Sequence, residues 1–246
     1  EKESEDSRLR LIRVFTMKIA ILNDTHCGIR NSSEIFLDNA EDFYNNIFFP
    51  ECDKRNVKQI VHLGDYYDHR KFVNFKALNQ NRRVFLDQLR KRNMSMDIIP
   101  GNHDTYFKNT NELNSLKECL GHYMNEIHIV MEPTVMQYGS LSMGLLPWIC
   151  ADNYQQSMNF IKDCKADWLG AHLELNGFEF ALGIKSTHGM DAKIFSKFEQ
   201  VISGHFHTAS QQGNIWYLGN PLEFFWSDAH DPKYFHILDT ETREIE

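Results

Sequence analysis

Five short polar motifs, each placed directly after a strand-length apolar run, constrain this chain more than any other feature of it. They are Asp24-Thr25-His26, Gly64-Asp65-Tyr66-Tyr67-Asp68, Gly101-Asn102-His103-Asp104, Ala171-His172 and Gly204-His205-Phe206-His207. The runs before them, Lys18–Leu22, Gln59–Leu63, Met96–Ile99, Asp167–Gly170 and Gln200–Ile202, read as strands. A sheet holds its strand ends rigidly, so loops leaving those ends can converge on one point. The residues delivered there are carboxylates, imidazoles and one amide, a donor mix suited to Mn, Fe or Zn. Seven such donors exceed one tetrahedral site and suit two ions sharing a bridging carboxylate.

The chain has 246 residues, enough for one large domain with a substantial core. No apolar run approaches the ~20 residues of a membrane-spanning helix, and the acidic start, Glu1 to Asp6, is the wrong flank for a signal peptide. Five cysteines, Cys27, Cys52, Cys119, Cys150 and Cys164, form no CxxC pair, so a disulfide framework is not expected and a reducing, cytoplasmic setting is. Cys27 sits inside the first motif, but its neighbours already fill a two-metal site. Net charge is −8, which argues against a general DNA binder. Between Asp68 and Asn93, however, stand Arg70, Lys71, Lys76, Arg82, Arg83, Arg90, Lys91 and Arg92. That cluster reads either as a basic surface beside the second motif or as an ordinary solvated helix face.

Residues 1–16 read as an N-terminal extension or added sequence, since Met17 opens the first clean strand. Helices are expected over Asn31–Phe49, Phe72–Asn93, Asn111–Leu120 and Asn153–Lys165. Glu126–Leu146 reads as short strands with a hairpin turn at Tyr138-Gly139-Ser140. Gln211–Asn214 turns one strand into the next, and Tyr234–Asp239 is the last strand. With no repeat, low-complexity tract or linker, residues 17–246 read as one α/β domain, a two-sheet αββα sandwich.

Each motif taken singly has a bland reading. Asp24 or His172 alone is more often a cap or a satisfied polar group, and Gly-Asp is commonly a turn. His205 and His207 could be two histidines on one strand face. The bland readings must all hold together, in order, each at a strand end, and that conjunction is the weaker account. Asp24 and His26, two apart, can point to one side of an extended segment. Asn102 and His103 are adjacent, so only one of them serves as a ligand. His62 reads as core, and His122, His128, His230 and His236 as surface or structural residues. Trp148, Phe224, Phe225 and Trp226 read as core or rim packing.

D-x-H, G-D-x-x-D, G-N-H-D, a lone H and G-H-x-H together resemble the signature of calcineurin-like metallophosphoesterases, from Met17 to about Asp239. Within that superfamily the chain resembles the SbcD, or Mre-eleven-type, nuclease subunits. Leu146-Pro147-Trp148, His172–Phe178, Lys185-Ser186, His188-Gly189 and Ser203–Thr208 resemble the bacteriophage recombination endonuclease subunits of that type. The resemblance implies one ion held by Asp24, His26, Asp65 and His207, and a second by Asp65, Asn102, His172 and His205. Mn²⁺ is the expected ion, with Mg²⁺, Fe²⁺ and Zn²⁺ as other candidates. It also implies that His103 contacts the scissile phosphate and assists the leaving oxygen. Asp68 stands where some relatives carry a phosphate-contacting histidine; His69 next door, and His188 in the Lys185–Gly189 loop, are further candidate substrate contacts.

The function implied is a metal-dependent DNA phosphodiesterase, the nuclease core of an SbcC–SbcD-like break-repair or recombination complex. The rivals are a phosphoprotein phosphatase or small-molecule phosphodiesterase on the same fold, and a non-catalytic scaffold, which would have lost ligands. The family's capping and ATPase-binding segments follow the core and are not expected within these residues. Weak DNA binding through the Arg70–Arg92 cluster is therefore expected. A homodimer is expected through Phe72–Asn93 and Asn111–Leu120, with Phe75, Leu78, Phe85 and Leu89 as its apolar stripe.

Overall fold

The computed structural model describes residues 17–246; the extension expected at 1–16 lies outside the described residues. Thirteen strands follow in order: β1 (Lys18–Leu22), β2 (Gln59–His62), β3 (Ser95–Ile98), β4 (Ile127–Ile129), β5 (Thr134–Tyr138), β6 (Leu141–Leu146), β7 (Trp168–His172), β8 (Glu179–Ala181), β9 (Ile184–Lys185), β10 (Gln200–Gly204), β11 (Ser210–Gln212), β12 (Ile215–Tyr217) and β13 (His236–Asp239). One sheet runs β13-β1-β2-β3-β4 and the other β11-β12-β10-β7-β6-β5, with β8 and β9 as a separate hairpin. The centres of both sheets are parallel: β1 to β4 in the first, and β6, β7, β10 and β12 in the second.

Parallel strands buried on both faces read as largely apolar runs, and β1 (KIAIL) shows it most clearly. In β1, Ala20 and Leu22 face a core under the first sheet's helices, while Ile19 and Ile21 face the second sheet. From that second sheet Met143, Leu145, Trp168 and Ile202 meet them. Its outer face packs Leu169, Ala171 and Val201 with Phe195 and Ile161. The result is helix, sheet, sheet, helix, the sandwich expected.

Several element bounds differ from the expectation. The first helix begins at Glu34, because residues before it coil the other way: Ile29–Ser32 make a turn that is left-handed at Arg30 and Asn31 (φ 54° and 56°). It continues past Phe49 to Lys54, widening to a π turn over Tyr44–Phe48. Pro50 cannot donate to the Asn46 carbonyl, so the helix loosens there rather than stopping. The second helix starts at Phe75 behind an Asn74 cap and runs to Arg92 through a π segment at Arg82–Leu86. Asn114 caps the third at Ser115–Leu120, and the last is Tyr154–Asp163. The β8–β9 hairpin was not foreseen.

The apolar stripe of the second helix splits. Phe85 and Leu89 are fully buried in the helix-side core, whereas Phe75 is 85% exposed and Phe72 59%. Half of the basic cluster is paired with acids within the chain: Lys76 with Glu34, Arg83 with Glu41, Arg90 with Glu126 and Arg92 with Asp53. The solvated-face reading is the one this arrangement favours. Trp226 is 94% exposed, so the packing role expected of it does not hold. Among the described residues no helix is long and apolar enough to cross a membrane.

Candidate metal centre and active site

All five motifs meet at the carboxyl ends of the parallel strands. The ladder between β7 and β10 sets Gly204 beside His172, which brings the fourth and fifth motifs together. The second and third motifs approach so closely that only glycine fits between them. A Cβ on Gly64 would stand 2.7 Å from the Gly101 nitrogen, and one on Gly101 would stand 2.2 Å from Asp65 Oδ1. Asp104, the last residue of Gly101–Asp104, clamps the two loops. It is fully buried and accepts from the backbone N–H groups of Gly101 (2.9 Å), Tyr66 (3.0 Å) and Tyr67 (3.1 Å). Burial, then the charge on Asp65, push its pKa up to about 7 against those three donors.

Asp24, His26, Asp65 and His205 all have positive φ, between 42° and 89°. The expected extended Asp24–His26 segment is therefore absent: each side chain is aimed by a left-handed backbone instead. Such conformations cost of order 1–3 kcal/mol each and persist where surrounding structure over-determines them.

Two groups of donors result, one of Asp24, His26 and His207, the other of Asp65, His172 and His205. In the first, Asp24 Oδ2 is engaged by the His205 N–H (2.9 Å) and the Asn23 amide (2.7 Å). Asp24 Oδ1 is buried with no hydrogen-bond partner, 3.8 Å from His26 Nε2 and 3.7 Å from His207 Nε2. Those two imidazole nitrogens face each other at 3.1 Å. In the second, Asn102 Oδ1 lies 3.0 Å from His172 Nε2 and 2.8 Å from His205 Nδ1. Asp65 joins the groups: its Oδ2 is 3.8 Å from His26 Nε2 and 3.3 Å from His172 Nε2, while its Oδ1 accepts the His103 N–H at 2.7 Å.

Donors bound at ~2.1 Å to one ion stand roughly 3–3.5 Å apart, so these separations and the orphaned Asp24 oxygen fit two cations. The electrostatics agree. Burial opposes the Asp65 charge, but His172 beside it outweighs burial and holds the carboxyl well below its usual range. Burial likewise opposes charge on His172, yet Asp65 and Asp24 raise it to about 9, so its Nε2 must give up a proton before it can ligate. Its Nδ1–H donates to the Leu63 carbonyl (2.7 Å), which turns Nε2 inward. Burial, then the His172 charge, lower His205 to about 3, and burial lowers His26, so both rings stay neutral and able to ligate.

A third group, His26, Asp68 and His103, adjoins the first. His103 Nδ1 is tied to the Asp68 carbonyl at 2.6 Å, and Asp68 Oδ1 reaches His26 Nδ1 at 3.3 Å. Asp68 thus joins the cluster, whereas His69 is turned out and stacks on Phe72 (3.6 Å). His188 is exposed, with backbone contacts to Ser186 in its own loop. Cys27 lies in none of the donor groups; burial pushes its thiol up to about 12. Aromatic rings wall the centre: Trp148 against His172 and His205, Phe224 against His26 and His207, and Phe225 nearly parallel to His207. Arg30, which sequence reasoning passed over, lays its guanidinium on Phe225 (4.8 Å) and donates to the Phe224 carbonyl (3.0 Å). Its only signal was its place in the loop leaving the first motif.

A family model described as calcineurin-like phosphoesterase matches residues 17–209. The chain belongs to the calcineurin-like phosphoesterases. Members of this family use divalent metal ions, and the donor groups here can accommodate them. The chain is 32% identical over 231 residues to Exonuclease subunit 1 of Enterobacteria phage T4, covering 94% of this chain and 67% of that protein. It is 21% identical over 257 residues to the SbcD nuclease subunit of Staphylococcus saprophyticus, covering 93% and 67%. Among solved structures, TT1561 of Thermus thermophilus shares the phosphoesterase fold at a TM-score of 0.51 and 9% identity, over 94% of this chain and 97% of that one.

Proposed function

We propose that this calcineurin-like phosphoesterase hydrolyses phosphodiester bonds of DNA, as the nuclease core of an SbcC–SbcD-like recombination or repair complex. The observation that carries the reading is Asp65 Oδ2, set between His26 Nε2 and His172 Nε2 so that one carboxylate serves both donor groups. The similarity to phage and bacterial nuclease subunits supports DNA over a phosphoprotein or small metabolite. The ions would be held by Asp24, His26, Asp65 and His207, and by Asp65, Asn102, His172 and His205, with Mn²⁺ favoured by the mix of carboxylate, imidazole and amide donors. Two such cations supply charge neutralisation for the attacking and departing oxygens of an in-line displacement.

The chain's own residues do the rest. Asp65 Oδ1 anchors the His103 backbone, and the Asp68 carbonyl engages His103 Nδ1. With Nδ1–H so committed, it is the imidazolium form of His103 whose Nε2–H can pass a proton to the leaving oxygen, the ring ending as the neutral Nδ1–H imidazole. Trp148 and Phe224 pack edge-to-face against the His172 and His26 imidazoles and fix their planes. An SbcC-type ATPase is the proposed partner. A homodimer is proposed too, through the exposed Phe72, Phe75 and Leu113 rather than the buried half of the stripe. Cleavage of single-stranded DNA, assayed with Mn²⁺ beside a nitrophenyl phosphomonoester, tests the function. Turnover of the monoester without DNA cleavage would reassign it to the phosphatase reading.

A further inference from the structure

We propose that Phe225, Trp226 and Arg30 form a stacking subsite for one unpaired nucleobase flanking the scissile phosphodiester, a role in cleavage that rests on the DNA phosphodiesterase reading above. Phe225 lies nearly parallel to His207, with ring centroids 6.2 Å apart and an interplanar angle of 24°. Its other partner is the Arg30 guanidinium, 4.8 Å from the ring centroid. Arg30 reaches it from the left-handed Ile29–Ser32 turn, and its Nε–H holds the Phe224 carbonyl. Next in sequence, Trp226 is 94% exposed, and no contact among the described residues accounts for it. An indole left in water on the recess it shares with Phe225 and Arg30 offers a π face with nothing on it.

The segment is built rather than loose. Buried Asp228 accepts from the N–H groups of both Phe224 (2.7 Å) and Phe225 (3.1 Å). Lys233, itself nearly buried, ties Asp228 (3.7 Å) to Asp231 (2.9 Å). Asp231 accepts from the Thr208 hydroxyl (3.2 Å), one residue beyond His207. The aromatic segment and the fifth motif therefore move together. Arg30, Phe36, Glu223, Phe224, Phe225 and Trp226 line an open recess of about 410 Å³. Its one carboxylate and one guanidinium cancel. A neutral, flat, polarisable base suits that recess better than a phosphate does, and aromatic faces and arginine planes are what unpaired bases stack on. A paired base inside a duplex has no free face to offer, so the subsite selects frayed or single-stranded ends.

The test compares a thymidine oligonucleotide with a strand of the same length made of abasic residues. In EDTA, the thymidine strand is expected to quench tryptophan fluorescence of the wild-type chain and the abasic strand is not. Trp226→Ala, a fully exposed change, should abolish most of that quench and weaken binding of the thymidine strand about 10-fold, with the abasic strand unaffected. With Mn²⁺ present, kcat/KM on the thymidine strand should fall by the same factor. Equal wild-type affinity for the two strands, or a quench that survives Trp226→Ala, would overturn the subsite even if DNA is cleaved. Base-dependent quenching with no Mn²⁺-supported cleavage would support the subsite and remove the nuclease reading instead.

Discussion

Asp65 is the side chain on which the proposed two-ion site depends most, because its two oxygens face different partners. Oδ1 fixes the backbone of the third motif through His103, and Oδ2 lies between the two donor groups. Asp65→Ala should therefore lower metal content at both sites, read as ions per chain by elemental analysis. Two ions retained with full activity would contradict the bridge. His103 is different: its ring belongs to neither the Asp24 nor the Asp65 donor group and is held by Asp68. His103→Ala should keep both ions and lose cleavage by ~10²–10⁴-fold, the usual contribution of a proton-transfer group. Turnover at the wild-type rate, at matched metal content, would refute the role.

The loops after β2 and β3 form one rigid unit because buried Asp104 takes a hydrogen bond from each side. Removing its carboxylate leaves the N–H groups of Gly101, Tyr66 and Tyr67 buried and unpaired, at about 1–3 kcal/mol for each such group. Asp104→Ala should lower the urea midpoint of the metal-free chain by an amount equivalent to about 3 kcal/mol or more; an unchanged midpoint would mean that water replaces the clamp. Buried Asp97 plays a comparable part between the sheets, accepting from Tyr138 (2.7 Å) and Gln59 (2.7 Å). The second helix shows how one stripe divides: Phe85 and Leu89 complete the core, and Phe75 remains outside with Phe72. A Phe85→Glu change would unfold the chain rather than probe association. Phe75→Glu tests the dimer, and light scattering should show a dimer in the wild type and a monomer in the variant. Monomers in both would remove the dimer.

Over the whole molecule, the charge balance predicts weak and local contact with DNA. Net charge is −8, and the arginines most prominent in the sequence are engaged by Glu41, Glu126 and Asp53. Two or three phosphate contacts would give a slope of roughly −2 for log affinity against log salt on single strands, at about 0.7 per contact. Changing Arg82 and Arg83 to Ala should leave that slope nearly unchanged, since Arg83 is held by Glu41. A slope that drops by one or more in the variant would route the DNA along this helix. Salt titration of oligonucleotide binding reads both outcomes.

The chain's order of apolar runs and polar motifs was enough to place five strand ends, the sandwich and the polar residues that converge at those ends, because those features are periodic and local. Lys18–Leu22 and Gln59–His62 are legible since a strand buried on both faces reads as a short, mostly apolar run. What could not be read locally were the left-handed turns at Asp24, His26 and Asp65, which loops from distant strands hold in place. The same holds for the choice of Asp68 over His69, adjacent residues whose fates differ by the direction of one peptide. Pairing of the basic cluster with acids 36 to 42 residues away was invisible for that reason too. Packing of Phe85 inward and exposure of Phe75 and Trp226 are likewise consequences of which surface meets the sheet. Short-range sequence carries the backbone's periodicity; long-range convergence sets side-chain direction, and the reactivity of this centre depends on direction.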